Sequence, residues 1–372
     1  MKITAAAGDI AHALAIVGIG VMKRTAGVSA VHIAAANGEV SLSTQFLELA
    51  VAAKAIATII EPGNAATSAM PLIDLINSLP PGAPVSISAS ETAVAVSCGN
   101  HRSRLPLMPW ETLPSMISSD DETGSIEITG ADLATLLEPL PAAENEKTRY
   151  YLCGIHWRSI GGALVAVATN GTKLILTSVV ADRFSDGLIV PREGAAVLAK
   201  LLKNAKPETV TLRCSPRLVA ANCATFFFVS KLIDFKYPDI RPVIPPPSRT
   251  AAICKLSHLV HAIGSLDAVA CMTDKSPLLL LHFDGRPKLN LGLARQLADG
   301  SDIIDADTAG TGRAVVQLRL FLDMLGQVSG EDVRLEFNEA RPLRLIGDGG
   351  KLVLLAQCQW NFETEKRPAS AR

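Results

Sequence analysis

The chain has 372 residues, a formal net charge of −1, 48% hydrophobic and 19% charged residues. This composition excludes a disordered chain and gives no overall charge to draw it to nucleic acid or a membrane, so any DNA-binding surface has to be a local patch. Only 4% of residues are aromatic, which argues against base-stacking platforms of the single-strand-binding kind; the length predicts two or three domains.

Met1–Gly20 reads as a short strand around Ile3 followed by a helix carrying Leu14 and Val17. The apolar stretch Ala11–Met22 resembles a signal peptide only briefly. Asp9 and His12 break the approach, Lys23-Arg24 follows, and no cleavage-site pattern comes after, so a buried helix in a cytoplasmic protein is expected. No apolar run reaches the 18 residues of a spanning helix. Asn37-Gly38 then joins Val31–Ala35 to Val40–Thr44 as a hairpin, because the dipeptide supplies positive φ. Ala69-Met70 reads as the end of a strand leading into a helix at Leu72–Leu79, a turn at Pro80-Pro81-Gly82, and a half-buried strand at Val85–Ile87.

The same series returns twice. Gly124–Ala143 repeats the strand and helix, with Ile126 and Ile128 ahead of Leu133, Leu136 and Leu137. Gly161-Gly162 is its hairpin turn, and Ile189-Val190, Ala195–Leu202 and Val210–Leu212 complete it. Thr250–Ala270 opens the third copy, with Ile253 ahead of Leu259, Ile263 and Leu266; Asp284-Gly285 is its turn, and Val315-Val316, Leu318–Leu325 and Val333–Phe337 close it. Ile3, Ile126 and Ile253 stand 123 and 127 residues apart, close to one third of 372, which is 124. The fold class is therefore α+β: three tandem copies of one unit, each with two helices and antiparallel strands. The expected divisions are 1–120, 121–247 and 248–360 with a flexible tail over 361–372, because Ser118–Thr123 and Pro245–Arg249 have linker composition. Units with open strand edges can join edge to edge and close a ring.

Chemistry is hard to find. Gly18-Ile-Gly20 is followed by Lys23 where a dinucleotide loop needs glycine, Gly350-Lys351 is followed by Leu352 rather than the Ser or Thr of a P-loop, and no G-x-S-x-G occurs. His258 and His261 share a helix face, and Asp302, Asp305 and Asp307 share a loop, but solvated polar residues account for both better than a metal does. The seven cysteines at 98, 153, 214, 223, 254, 271 and 358 form no C-x-x-C pair. They fit a reducing compartment and exclude a disulfide framework or zinc ribbon; Cys153 reads as a structural thiol. No cofactor, metal or catalytic residue is expected, which points to a binding or scaffolding protein.

Thr148–Ile155, Val167–Leu174, Ile189–Arg192, Val229–Asp234, Tyr237–Ile240 and Val243–Pro245 resemble the beta subunit, or sliding clamp, of the bacterial replicative DNA polymerase III. Met1–Ile3 and Lys23–Thr25 add to the resemblance, which runs to about residue 359. It implies a homodimer of three-domain subunits, joined head to tail, that encircles duplex DNA, is not an enzyme, and confers processivity on a polymerase, with polymerase and clamp-loader subunits as partners. It implies a partner-peptide pocket at Leu152, Thr169, Gly171, Thr172, Leu174, Pro238 and Val243, completed by Leu320, Pro342, Val353 and Leu355. DNA contacts are expected from Lys23, Arg24, Lys147, Arg149, Arg192, Lys200 and Lys203, with Arg24 foremost, and dimer contacts from Ser103, Ala270 and Cys271.

The chain departs from the family in three places. Asn170-Gly171-Thr172-Lys173 stands where the family usually has Asp-Gly-His-Arg. The helices expected to line the hole carry few basic residues, Arg192–Lys203 excepted, and small residues occupy the interface positions. Ala356–Gln359 replaces the family's C-terminal Met-Pro-Met-Arg and is followed by Trp360 and Phe362, either of which is expected to fold back over the pocket. The second reading is therefore a clamp-derived protein-binding module that no longer encircles DNA.

Overall fold

The computed structural model describes residues 1–21, 29–46, 48–109, 121–270, 276–294, 300–338 and 341–359, the side chain of residue 147 apart. The first repeat runs β1 (Lys2–Ala6), α1 (Ala7–Val17), β2 (Ala30–Ala36), β3 (Glu39–Phe46), β4 (Leu49–Ala55), β5 (Thr58–Glu61), β6 (Gly63–Ser68), α2 (Ala69–Asn77), β7 (Pro84–Ala89), β8 (Ala93–Cys98) and β9 (His101–Pro106). The second is β10 (Gly124–Thr129), α3 (Gly130–Leu137), β11 (Gly154–Ile160), β12 (Ala163–Thr169), β13 (Lys173–Val180), β14 (Leu188–Pro191), α4 (Arg192–Ala205), β15 (Thr209–Cys214), β16 (Leu218–Asn222) and β17 (Phe227–Lys231). The third is β18 (Ala251–Lys255), α5 (Leu256–Ala270), β19 (Leu278–Phe283), β20 (Lys288–Ala294), β21 (Ser301–Asp305), β22 (Asp307–Ala309), β23 (Gly312–Gln317), α6 (Leu318–Leu325), β24 (Asp332–Glu336), β25 (Leu343–Ile346) and β26 (Leu352–Leu355).

Each repeat begins with a strand that turns straight into a helix, and local chemistry sets the corner. Thr129 caps α3, its hydroxyl oxygen accepting the Asp132 N–H at 3.0 Å while the hydroxyl donates to the Asp132 carboxylate at 2.7 Å. The two helices of each repeat contact one another: α1 with α2, α3 with α4, α5 with α6. Their buried faces follow helical spacing, as in Leu318, Phe321, Met324 and Leu325 of α6. At the end of α4, Lys206 takes a left-handed conformation (φ 43°) and returns its N–H to the Leu202 carbonyl.

Two local expectations change. Ala69 and Met70 are the first turn of α2 rather than strand, since β6 already ends at Ser68. Asn37-Gly38 and Gly161-Gly162 have both central residues at positive φ, as a two-residue hairpin turn requires, but at Asp284-Gly285 only Gly285 does. There the cross-strand pair His282–Asn290 leaves a longer loop running through Pro287, whose ring fixes a negative φ.

The chain forms two compact units. The first comprises Met1–Leu140, Lys147–Val165 and Val179–Phe235. It contains a five-stranded sheet in the order β5-β1-β7-β8-β9 and an eight-stranded sheet in the order β10-β15-β16-β17-β4-β3-β2-β6. The first two repeats are thus fused through β17 and β4, with Phe228 opposite Val51, and the expected division near residue 120 lies inside one continuous unit. Trp157 is fully buried in it and donates its indole N–H to the Leu136 carbonyl at 3.1 Å.

The second unit comprises Pro141–Glu146, Ala166–Ser178 and the part from Lys236 on. It carries the run β13-β26-β25-β24-β18-β22 and a four-stranded sheet, β21-β20-β19-β23. Here β13 of the second repeat pairs with β26 of the third, Ile175 opposite Val353. The core of this unit includes a T-shaped Phe283–Phe337 pair with ring centroids 4.9 Å apart.

Candidate interaction surfaces

Within the second unit, the turn between β12 and β13 is held by its own side chains. The Asn170 side-chain carbonyl accepts from the N–H groups of Thr172 and Lys173, both at 3.1 Å, and from the Thr172 hydroxyl at 2.9 Å. Thr169 donates to the Lys173 carbonyl at 2.7 Å and accepts the Gly171 N–H at 3.1 Å. Gly171 itself sits at φ 92°, a region that favours glycine. The Ala356 N–H donates to the Thr172 carbonyl at 2.8 Å, tying the turn to the strand end after β26.

The eleven expected pocket residues divide by exposure. Leu174, Val353 and Leu355 are core side chains, at 3%, 1% and 0% exposure. Gly171, Thr172, Pro238 and Val243 are exposed, and Thr169, Leu320 and Pro342 are half-buried. All ten lie in the second unit, whereas Leu152 is buried in the first. Tyr237, which sequence reasoning passed over, is buried beside Thr169. Burial pushes its hydroxyl pKa far up, and a hydrogen bond with the Thr169 backbone pulls against that.

Of the expected DNA contacts, Lys200 and Lys203 are exposed on α4, one helical turn apart, with exposed Lys206 following. Arg192 is half-buried and donates to the Leu140 carbonyl at 3.0 Å. Arg149 is exposed. Lys23, Arg24 and the side chain of Lys147 lie outside the described residues. Between α3 and α4 runs an apolar groove of about 510 Å³, floored by Ala134, Leu137 and Leu202 and rimmed by Lys203 and Lys206.

One feature escaped the sequence reading. Tyr150 and Phe235 are 48% and 52% exposed, with ring centroids 5.3 Å apart, and Tyr151 stacks on Phe235 at 5.1 Å. A chain with few aromatic residues still gathers three of them on one surface beside Arg149. The only sequence signal was the Tyr150-Tyr151 doublet, and Phe235 comes to it from a distant stretch of chain.

The expected interface residues are separated. Ser103 lies on β9, the edge of the five-stranded sheet, and is half-buried. Ala270 ends α5 with no exposed area and offers no side-chain surface to a partner. Cys271 lies outside the described residues, as do Trp360 and Phe362. Two of the edge strands differ in charge: β9 reads His-Arg-Ser-Arg-Leu-Pro, and β21, an edge of the four-stranded sheet, reads Ser-Asp-Ile-Ile-Asp. Ile303 of β21 is 59% exposed. Among the described residues no group of three His, Cys, Asp or Glu side chains is placed to hold a metal, and no helix is long and apolar enough to cross a membrane.

Tandem α+β repeats of two helices each, joined sheet to sheet, define the DNA-clamp class of fold. A family model described as the DNA polymerase III beta subunit N-terminal domain matches residues 1–118, and one described as its central domain matches residues 130–239. The beta sliding clamp of Caulobacter vibrioides is 30% identical over 347 residues, covering 88% of this chain and 91% of that one. The solved structure of Caulobacter crescentus pol III beta is 28% identical, with a TM-score of 0.86 over 97% of this chain and 100% of that chain. A sliding clamp from Bartonella birtlesii, solved bound to griselimycin, has the same fold: TM-score 0.87, 24% identity, 97% and 100% coverage.

The chain belongs to the bacterial DNA polymerase III beta subunit family, the beta sliding clamps. It is a DNA sliding clamp, a non-catalytic processivity factor that works with DNA and a DNA polymerase, and a binding module that has lost DNA is not the favoured account.

Proposed function

We propose that two copies of this chain join head to tail, β9 of one against β21 of the other, to close a ring of six repeats around duplex DNA. The repeats divide near residues 120 and 247, with the tail beyond 360. The observation that carries this reading is the register at the two joints already present within one chain. Counting four residues back from the first helix of each repeat, to Ile3, Ile126 and Ala252, and following the pairings across the sheet, Ser103, Phe228 and Val353 occupy one equivalent position. Counting two back from the second helix, Thr67 leads to Val51, and Val316 leads through Leu293 to Gly300, whose carbonyl accepts the Leu293 N–H. Phe228 faces Val51 and Val353 faces Ile175. Ser103, on β9, and Gly300, immediately ahead of β21, are the remaining members, and both strands are sheet edges.

The same register sets His101 against Asp302 and Arg102 against Ser301 of a second copy, so a basic edge meets an acidic one. Oppositely charged cross-strand neighbours stabilise such a joint, and closure removes two edges that would otherwise invite aggregation. Disulfide trapping tests it. Arg102→Cys with Ser301→Cys should cross-link into a covalent dimer, whereas Arg102→Cys with Ile303→Cys, a register slip of two, should not. Equal cross-linking of both pairs, or of neither, would sink the register.

DNA contacts are assigned to Lys200 and Lys203, with Arg192, Arg149, Lys147, Lys23 and Arg24 adding to them. Weak phosphate contacts suffice when topology holds the ring on DNA, and they permit sliding. The exposed Tyr150 and Phe235 rings, backed by half-buried Tyr151, add a surface on which a splayed base can stack. Partner peptides are assigned to the groove walled by Thr172, Pro238, Val243, Leu320 and Pro342 over Leu174, and the polymerase and clamp loader are the partners that would use it; Leu354, opposite Leu174, shares that face of the sheet, whereas Val353 and Leu355 turn to the other face. An apolar anchor in a preformed groove is the economical mode for a short peptide. Griselimycin, the ligand of the Bartonella birtlesii clamp, is the probe: Val243→Asp should lower its affinity about tenfold or more while leaving the dimer mass unchanged. The protein is assigned to the cytoplasm, where its DNA is.

A further inference from the structure

Glu336 ends β24 with only 4% exposure, and a buried carboxylate is stable only when its charge is matched. Its partners come from three segments. Arg334 Nε lies 2.9 Å from one carboxylate oxygen, and Arg344 Nε, on β25, lies 3.2 Å from the other. The Ser248 N–H donates to the second oxygen at 3.2 Å. Both arginines reach on to the segment entering β18: Arg334 donates to the Ser248 carbonyl at 3.2 Å, and Arg344 to the Pro245 carbonyl at 2.9 Å. Ser248 closes the set by donating its hydroxyl to the Phe337 carbonyl at 2.7 Å and accepting the Thr250 N–H at 3.2 Å.

Pro245, Pro246 and Pro247 have no N–H and cannot tie this segment down through a strand ladder. The charged network does so instead. An ion network of this kind is rarely retained for stability alone, because apolar residues of similar volume often serve as well. What it holds in place is the chain just after Val243, one exposed wall of the peptide groove. At its other end, near Pro238, the same segment is anchored by buried Tyr237 beside Thr169.

We infer that Glu336, through Arg334 and Arg344, is a positioning residue for partner binding: it fixes the Pro245–Thr250 segment and so presets the Val243 wall of the groove. The inference rests on the groove assigned above. Glu336 and Arg344 themselves touch no peptide; they act through the backbone they hold.

The test uses full-length protein, griselimycin titrated calorimetrically, and amide hydrogen exchange. Glu336→Gln keeps the shape and one acceptor but removes the charge. It should speed exchange across residues 244–250 and lower griselimycin affinity about tenfold. A second variant, Glu336→Leu with Arg344→Met, separates stability from position. It should restore the melting temperature to near wild type while affinity stays low, because the Pro245 carbonyl remains unheld. Wild-type affinity in the double variant, or unchanged exchange in Glu336→Gln, would overturn the inference and leave the groove assignment standing. Failure of the wild-type protein to bind griselimycin would remove the groove and this inference together.

Discussion

His156 shows how a single buried side chain sets a pH limit. On β11 its imidazole is mostly buried; burial first, and the charge of Arg158 second, bring its pKa down to about 4. In the unfolded chain a histidine titrates near 6.5, so below that pH the unfolded state takes up a proton that the folded state refuses. Stability is therefore whole above about pH 6.5 and is lost as pH falls toward 4, by roughly 3 kcal/mol from this residue. His156→Gln should flatten that part of the dependence, measured as the urea midpoint at pH 7 and pH 4.5. An unchanged difference between the two pH values would refute the assignment. The aromatic cluster belongs to the same scale. Composition argued against a base-stacking platform, yet Tyr150, Tyr151 and Phe235 bring three rings together, because a percentage cannot show that separated residues converge. The expected pocket residues come from the family resemblance alone. Their buried members, Leu174, Val353 and Leu355, carry the same apolar pattern as any core strand.

At the scale of elements, the helices and their partner strands were legible because each carries its own period. Val85, Ile87, Val210, Leu212, Val333 and Leu335 alternate inward on closing strands, and α6 spans the Leu318–Leu325 read from its sequence. The Asp284-Gly285 turn was read too simply, since a following proline lengthens the loop without changing the turn signal. Helix α4 carries the most testable chemistry. Lys200 and Lys203 are exposed and aligned, whereas Arg192 is partly committed to the Leu140 carbonyl. If both lysines contact phosphates, replacing both with alanine should flatten the slope of log K against log salt by roughly 1.8, at about 0.9 per contact. A parallel titration of Arg192→Ala should show a smaller change in slope together with a lower melting temperature. Identical slopes for the double lysine variant and wild type would place the DNA elsewhere.

For the whole molecule, threefold repetition was the strongest signal in the sequence, but the joints between repeats were not. A joint pairs β17 with β4 or β26 with β13, strands far apart in the chain whose registers no local pattern encodes. Once those pairings are known, the unpaired members of the set, β9 and β21, stand out by their position and opposite charge. Small residues at the expected interface positions matter less in this light: Ala270 is spent on the core of its own unit, and the proposed joint would be built from backbone edges and charged side chains. Because such pairs are screened, the dimer should weaken with added salt, seen as a fall in mass by light scattering at fixed protein concentration.

The central claim is that two chains enclose DNA. The Arg102→Cys, Ser301→Cys protein, diluted to monomer and reassembled with nicked circular DNA before oxidation, tests it without a loader. Cross-linked protein should stay with the circles through gel filtration in high salt and come off when a restriction enzyme linearises them. Equal loss from circular and linear DNA would contradict encirclement.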